Sequence, residues 1–420
     1  MISTMRIAIV SDEETLGGAA VGATRLADGL IDAGHDVWRV LAASNDHKGG
    51  RWRAEVLPAM PRPLKALARL PAAASRLRAH VYPRLSLGHL EAALERIRPD
   101  VINVHNLHSA RDRGLSLEHV ARCARRAPTV WTLHDMWSFT GRCAHAKECT
   151  RYLTGCDASC PTPDEYPALE PARIAGEWQR RQRLLGGSLP LTAVCPSRWL
   201  TDLARRGLWR GRRVEHIPYG LPLGSYRVHP RAEARRALGL GVQGSIALAG
   251  AMSLSDPFKG IATLFGAIRR VRRPFTLLVM GSGAAPTDIP GVTVVNLGRV
   301  DSPIFQSLVF SAADLYVHPA NQDNLPFIVL EAIACGTPVL ATRVGGVPDA
   351  VRPDVTGWLV EPADPEALAR GLDEALARVE QVDLRARCRA VAEAEYGQER
   401  QAARYVELFE ELLRAGHTSS

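Results

Sequence analysis

The sequence contains no uninterrupted apolar run approaching the ~18 residues that a membrane-spanning helix needs, and Met1–Val10 lacks the long apolar core of a signal peptide. A cytoplasmic protein is therefore expected. Lysine is nearly missing: Lys48, Lys65, Lys147 and Lys259 are the only ones, so the net charge of +8 is carried by arginine. Aromatic residues make up just 6% of the chain and no nucleic-acid-binding motif is present, which argues against nucleic acid as a partner. The glycines after the first predicted strand do not follow GxGxxG, so no NAD site is inferred. No segment offers an evident pair of carboxylates flanking a scissile bond, as a double-displacement glycosidase requires.

What is present is a soluble-protein composition, 46% hydrophobic and 23% charged, over 420 residues. That length exceeds one ordinary core and suits two domains of roughly 200 residues each. Apolar strands are predicted at Arg6–Val10, Val37–Leu41, Val101–Val104, Thr129–Leu133 and Leu191–Val194, with helices between them. The pattern restarts at Ser245–Ala249, Phe275–Met280, Val292–Asn296, Leu315–His318, Pro338–Ala341 and Trp358–Val360. Alternation of this kind implies an α/β fold of two doubly wound, Rossmann-like domains, with ligands at the carboxyl ends of the strands in the cleft they face across. The expected division is 1–217, containing a cysteine-rich loop at 141–161, then 225–395, then a carboxyl-terminal helix and tail at 396–420 packing back on the first domain. The proline- and glycine-bearing stretch His216–Pro230 is the linker candidate. At 61–84 the sequence turns basic and apolar at helical spacing, and two readings stand: a surface helix with a solvated arginine face, or a helix on anionic lipid.

The most informative segment is DNLPFIVLEAIACGTPV, Asp323–Val339. A helix starting near Leu325 would present free backbone N–H groups to a phosphate. Asp323 and Asn324 precede that end and suit sugar hydroxyls; Glu331, about two turns on, suits the two hydroxyls of a ribose. The plainer alternative makes Asp323 or Asn324 a helix cap and Glu331 a solvated helix residue. Gly17 and Gly18 follow the first strand and allow close approach of the backbone to an anion. His105, His108, His134 and Asp135 all fall at predicted carboxyl ends of strands.

These segments carry a resemblance. Glu331, Ala332, Ala334, Gly336, Pro338 and Val339 are similar to the donor-binding motif of glycosyltransferase family 4, retaining enzymes of the GT-B fold, with Asp323 where the family has its first glutamate. Val344–Val351, Val355–Val360, VCPSRWL and HIPYG resemble further family segments, the last with Tyr219 in place of asparagine. GAMSLSDPFKG resembles the phosphate-binding stretch; Lys259 matches its lysine, while Met252 stands where an arginine is usual. The resemblance implies a retaining transfer of sugar from a nucleotide diphosphate (a UDP-, GDP- or TDP-sugar) to a glycan, glycolipid or natural-product acceptor. It implies front-face chemistry without a catalytic metal, the leaving diphosphate taking the acceptor proton. His134, Lys259 and Asp323 are the implied catalytic residues, and Gly17, Gly18, Lys259, Asn324, Leu325, Pro326 and Glu331 the implied donor-binding set. A nucleotide-sugar hydrolase or epimerase of the same fold, or a silent partner of another transferase, remain as alternatives.

Cys143, Cys149, Cys156 and Cys160 cluster in one loop without a CxxC pair. Four thiolates there suit a structural zinc, with unliganded thiols, disulfides or an iron–sulfur cluster as alternatives. WTLHDMWSFTG followed by these cysteines resembles a subgroup acting in exopolysaccharide and colanic-acid-like assembly. Cys123, Cys195, Cys335 and Cys388 are scattered and read as packing residues.

Overall fold

The computed structural model describes residues 4–42, 50–57, 73–108 and 115–417. Residues 61–72 of the arginine-rich stretch, and the side chains of its remainder to 84, lie outside the described residues. The chain divides into two compact units, residues 1–220 with 399–420, and residues 221–398.

In the first unit the elements run β1 Arg6–Ser11, α1 Gly18–Asp32, β2 Asp36–Leu41, β3 Arg53–Val56, α2 Ala73–Ile97, β4 Val101–Val104, α3 Leu117–Arg126, β5 Thr129–Thr132, α4 Pro171–Gly186, β6 Leu191–Cys195, α5 Arg198–Arg206 and β7 Val214–His216. The second continues with α6 Arg231–Ala237, β8 Ile246–Ser253, α7 Ile261–Ala267, β9 Phe275–Ser282, β10 Val292–Gly298, α8 Pro303–Ala312, β11 Leu315–His318, α9 Phe327–Ala334, β12 Val339–Thr342, α10 Val347–Ala350, β13 Gly357–Val360, α11 Pro365–Gln381 and α12 Arg385–Glu395. Helix α13, Gln398–His417, then joins the first unit.

The first sheet has the order β3-β2-β1-β4-β5-β6-β7 and the second β10-β9-β8-β11-β12-β13. All neighbouring strands pair in parallel. Buried parallel strands need apolar side chains on both faces, and β1 shows how the period of two divides them. Ile7 and Ile9 enter the core that holds Leu26 and Leu30 of α1 and Tyr405 and Phe409 of α13. Ala8 and Val10 enter the opposite core with Leu90, Val120 and Trp209. In the second unit, Ala247, Ala249, Leu277, Val279 and Val317 pack with Leu264 of α7 and Leu372 and Leu376 of α11.

Strands β3 and β7 are absent from the sequence reading because RAEV and VEH carry too little apolar patterning to announce a strand. They sit at the two edges of the sheet, where pairing on one side suffices. Each sheet reverses its strand order once, between β1 and β4 and between β8 and β11. Ligands of open α/β sheets bind beyond the carboxyl ends of strands at such reversals.

Candidate active site

In the first unit the reversal places the β1–α1 loop beside the end of β4, and the Asp12 N–H donates to the Asn106 carbonyl at 3.1 Å. Gly17 precedes α1 with φ of 91°, a conformation that disfavours any side chain, and no side chain caps the helix. Space above Gly17 and Gly18 is open: a Cβ on either would meet nothing within 4 Å. Beneath the loop, fully buried Arg39 of β2 donates to Ser11 Oγ at 3.0 Å and Thr24 Oγ1 at 2.9 Å, while Thr24 Oγ1 donates to the Glu14 carbonyl. Burial draws the Arg39 pKa down to about 10 against the pull of Glu14 and Asp28. Sequence patterning gave no sign of this buried cation, since an arginine in a strand ordinarily points to solvent.

At the ends of β4 and β5 the polar groups form a directed chain. Asn103 Nδ2 donates to the Val130 carbonyl and Thr132 Oγ1, so its Oδ1 accepts, and His105 Nε2 donates to it at 2.7 Å. His105 Nδ1 must then accept from His134 Nε2 at 3.0 Å, and His134 Nδ1 accepts from the Tyr219 hydroxyl at 2.6 Å. Burial, with His108 nearby, lowers the His134 pKa to about 4, and burial with His134 and Arg39 takes His105 well below its ordinary value. Both imidazoles are neutral near pH 7, and both His134 nitrogens are engaged. Tyr219, at the position where the family has asparagine, is what occupies the second one.

A separate pair stands alongside. His108 Nε2 lies 2.8 Å from Asp135 Oδ2, and Asp135 Oδ1 accepts from the Trp137 N–H at 2.8 Å. Burial pushes the Asp135 carboxyl up, but His108 and these hydrogen bonds outweigh it and hold its pKa below the usual value.

In the second unit the β8–α7 turn and the β11–α9 turn meet at the other reversal. Lys259 Nζ is 2.7 Å from Asp323 Oδ2, and His318 Nε2, at the end of β11, is 3.3 Å from the same oxygen. Burial opposes both charges, yet each stabilises the other: Lys259 is raised above its usual pKa by Asp323, and Asp323 is held far below the carboxylate range by Lys259 and His318. The Asn321 N–H donates to the Phe258 carbonyl and its Nδ2 to the Pro257 carbonyl, which ties the two turns together. His318 is absent from the sequence-derived set, although the argument from strand carboxyl ends that selected His105 and His134 applies equally to it.

Helix α9 begins at Phe327 behind Pro326, two residues later than Leu325, and Glu331 therefore lies little more than one turn inside it. The N-cap position is Pro326, which makes no side-chain capping bond. Asn324 and Leu325 are buried, and Glu331 is only 7% exposed, so it is not a solvated helix residue. Burial, Asp323 and Glu331 together push the Tyr316 phenol well above its ordinary pKa. Gly345 packs directly on this turn: a Cβ there would fall 1.8 Å from the Asp323 carbonyl oxygen. Met252, in the position of the family's arginine, is 56% exposed and offers no charge.

The zinc expectation requires correction. Among the described residues no three His, Cys, Asp or Glu side chains are arranged to hold a metal ion, and Cys143, Cys149, Cys156 and Cys160 are free thiols. Burial pushes the Cys143 and Cys156 thiols up to about 11. The loop is ordered by a different device. Buried Arg142 donates to the carbonyls of Thr162, Glu165 and Pro167, and Cys149 and Cys156 pack against the core. The four scattered cysteines are all buried.

Residues 16–224 match the family model described as Glycosyltransferase Family 4, and residues 243–378 match the one described as Glycosyl transferases group 1. The chain belongs to glycosyltransferase family 4. A D-inositol 3-phosphate glycosyltransferase from Segniliparus rotundus is 31% identical over 221 residues, 49% of this chain and 48% of that protein. The putative colanic acid biosynthesis glycosyl transferase WcaC of Escherichia coli is 29% identical over 257 residues, 58% of this chain and 60% of its own length. The chain thus matches about half the length of the first of these relatives and three fifths of the second. Among solved structures, Anabaena HepE in complex with UDP and glucose superposes with a TM-score of 0.67 at 17% identity, covering 97% of this chain and 100% of that one. The fold of this family 4 member is accordingly GT-B. No helix among its described residues is long and apolar enough to cross a membrane.

Proposed function

We propose that this glycosyltransferase moves a sugar from a nucleoside diphosphate to a hydroxyl of a sugar-containing acceptor, with retention at the anomeric carbon. The observation that carries the reading is the Lys259–Asp323–His318 cluster at the strand reversal of the second unit. A compact ammonium suits the oxygens of a diphosphate, and Lys259 is the cation fixed at this turn. Asp323, kept ionised by Lys259 and His318, accepts hydroxyl hydrogen bonds from the donor sugar. Asn324, Leu325 and Pro326 lead into α9, whose leading N–H groups and dipole favour the phosphates. Glu331 accepts the ribose hydroxyls. In the first unit, uncapped α1 behind Gly17 and Gly18 presents N–H groups that suit an anion.

The chemistry follows from this division. As the bond between the anomeric carbon and the phosphate oxygen breaks, charge develops on the leaving diphosphate; Lys259 and the helix N–H groups stabilise it. The same phosphate takes the proton of the incoming acceptor hydroxyl on the same face. His134, neutral and doubly hydrogen-bonded, then acts by holding its ring against the sugar and takes no part in proton transfer.

HepE's complex with UDP and glucose favours a uridine nucleotide, and the names of the two relatives favour a polyol or polysaccharide acceptor. Peripheral contact with anionic lipid, if made, belongs to the arginine-rich stretch 61–84. The donor assignment is tested by calorimetry with UDP, GDP and TDP: Glu331→Ala weakens binding of the preferred nucleotide about tenfold, the worth of a lost charge-assisted hydrogen bond. Unchanged affinity removes Glu331 from the site.

A further inference from the structure

The two nitrogens of His134 are engaged by groups more deeply buried than the ring itself. Asn103, His105 and Tyr219 are buried, whereas His134 keeps partial exposure. Burying three polar side chains is costly unless the bonds among them are made. Here those bonds converge on one imidazole just beyond the end of β5.

The direction of the chain is set at its deep end. A string of neutral imidazoles satisfies itself equally well with its protons running either way, so His105 and His134 do not by themselves choose a tautomer. Asn103 chooses. Its Nδ2 donates to the Val130 carbonyl at 3.0 Å, an atom that can only accept, and to Thr132 Oγ1 at 3.0 Å. The amide therefore cannot turn over, and its Oδ1 must receive the His105 proton. Thr132 Oγ1 also bonds the Tyr405 hydroxyl of α13 at 2.8 Å, which anchors this end in the core. At the other end Tyr219 acts twice. Its hydroxyl donates to His134 Nδ1 at 2.6 Å, and its ring stacks on the imidazole with 5.7 Å between centroids and 16° between planes. The stack fixes the tilt of the His134 ring; the hydrogen bond fixes its rotation about Cβ–Cγ.

We propose that Asn103 and Tyr219 are positioning residues for the transfer: Asn103 holds His134 in the Nε2–H tautomer, and Tyr219 holds the plane of its ring against the donor sugar. The assignment rests on the transfer reading above. Asparagine, the family's residue at the Tyr219 position, has no ring to stack, so this chain orients His134 by a device of its own. The groups facing the ring give its pH response a sign. Burial and His108 lower the His134 pKa to about 4 against the pull of Asp135, while burial, His134 and Arg39 lower that of His105. The Tyr219 proton adds to this, because it needs a free lone pair on Nδ1 and so favours the neutral ring. Removing that proton moves the titration of His134 upward.

The test uses the full chain, with the histidine ring nitrogens followed by proton–nitrogen NMR across pH and turnover followed as nucleotide release from UDP-, GDP- and TDP-sugars with lysate glycolipids. Wild-type His134 is Nε2–H alone. Tyr219→Phe, which keeps the stack, keeps that tautomer and raises the His134 midpoint by about one pH unit. It lowers kcat about five- to tenfold, the scale of one lost hydrogen bond, with unchanged affinity for the preferred nucleotide. Asn103→Leu loses the single tautomer. A tyrosine with only a structural role changes the melting temperature and moves neither the midpoint nor kcat. Wild-type midpoint and kcat in Tyr219→Phe overturn its assignment, and an Nδ1–H or mixed His134 in the wild type, or a single tautomer kept in folded Asn103→Leu, overturns that of Asn103. Binding of no nucleotide by the wild type refutes the donor reading instead, and the role in transfer falls with it.

Discussion

Asp323 and Lys259 hold each other in charge states that burial alone would oppose, and His318 shares the same carboxylate oxygen. Lys259→Met removes the partner and leaves a buried carboxylate uncompensated. The account predicts a fall in the rate of donor breakdown of about 100- to 1,000-fold, the scale of losing one group that stabilises developing charge, with a lower melting temperature. Stopped assays of nucleotide release and a thermal melt check both parts. The histidines make a second prediction, about pH. His134 has a folded pKa of about 4 against an ordinary 6.5, and His119, buried, is likewise lowered to about 4. The unfolded chain therefore binds more protons than the folded one between these values. Stability from this source is complete above pH 6.5 and is lost as pH falls from 6.5 toward 4, whereas the contribution of Asp323, whose pKa is depressed, fades only below its ordinary 3.8. Melts from pH 7 to 4 test the sign: a midpoint that rises on acidification contradicts the buried neutral histidines.

At the scale of elements, the turn from β11 into α9 is built by contact with a distant loop. Gly345 has φ of 48° and lies where no Cβ fits against the Asp323 carbonyl. Gly345→Ala is expected to push the Asp323–Asn324 turn out of place, weakening nucleotide binding about tenfold or more while lowering stability by about 1–3 kcal/mol. Calorimetry on the variant decides; wild-type affinity would show that the turn does not hold the donor. This element also marks how far sequence reading reaches. Apolar runs such as IAIV, VINV and LLVM identify buried parallel strands because both faces must be apolar. The Asp323–Val339 segment was legible because a motif packs many constraints into few residues. The Tyr219–His134 bond, the Arg39 support and the Arg142 clamp were not legible, because each joins residues whose proximity depends on the folded sheet. The cysteines misled for a related reason: spacing along a loop says nothing about whether thiols converge, and here a buried guanidinium orders the segment instead.

At the scale of the molecule, two parallel sheets each supply one reversal of strand order, and the polar groups gathered at those reversals are the ones that the transfer reading employs. The carboxyl-terminal helix α13 completes the first unit, with Tyr405 hydrogen-bonded to Thr132 at 2.8 Å and Phe409 fully buried. Everything functional depends on nucleotide-sugar cleavage being coupled to an acceptor. The most direct test incubates the purified chain with a panel of UDP-, GDP- and TDP-sugars, following nucleotide release with and without glycolipids from a lysate. The account predicts that one donor releases nucleotide rapidly only when acceptor is present, with the sugar appearing on it. Equal release without acceptor, as from a hydrolase, or no release under any condition, as from a silent binding partner, would contradict it.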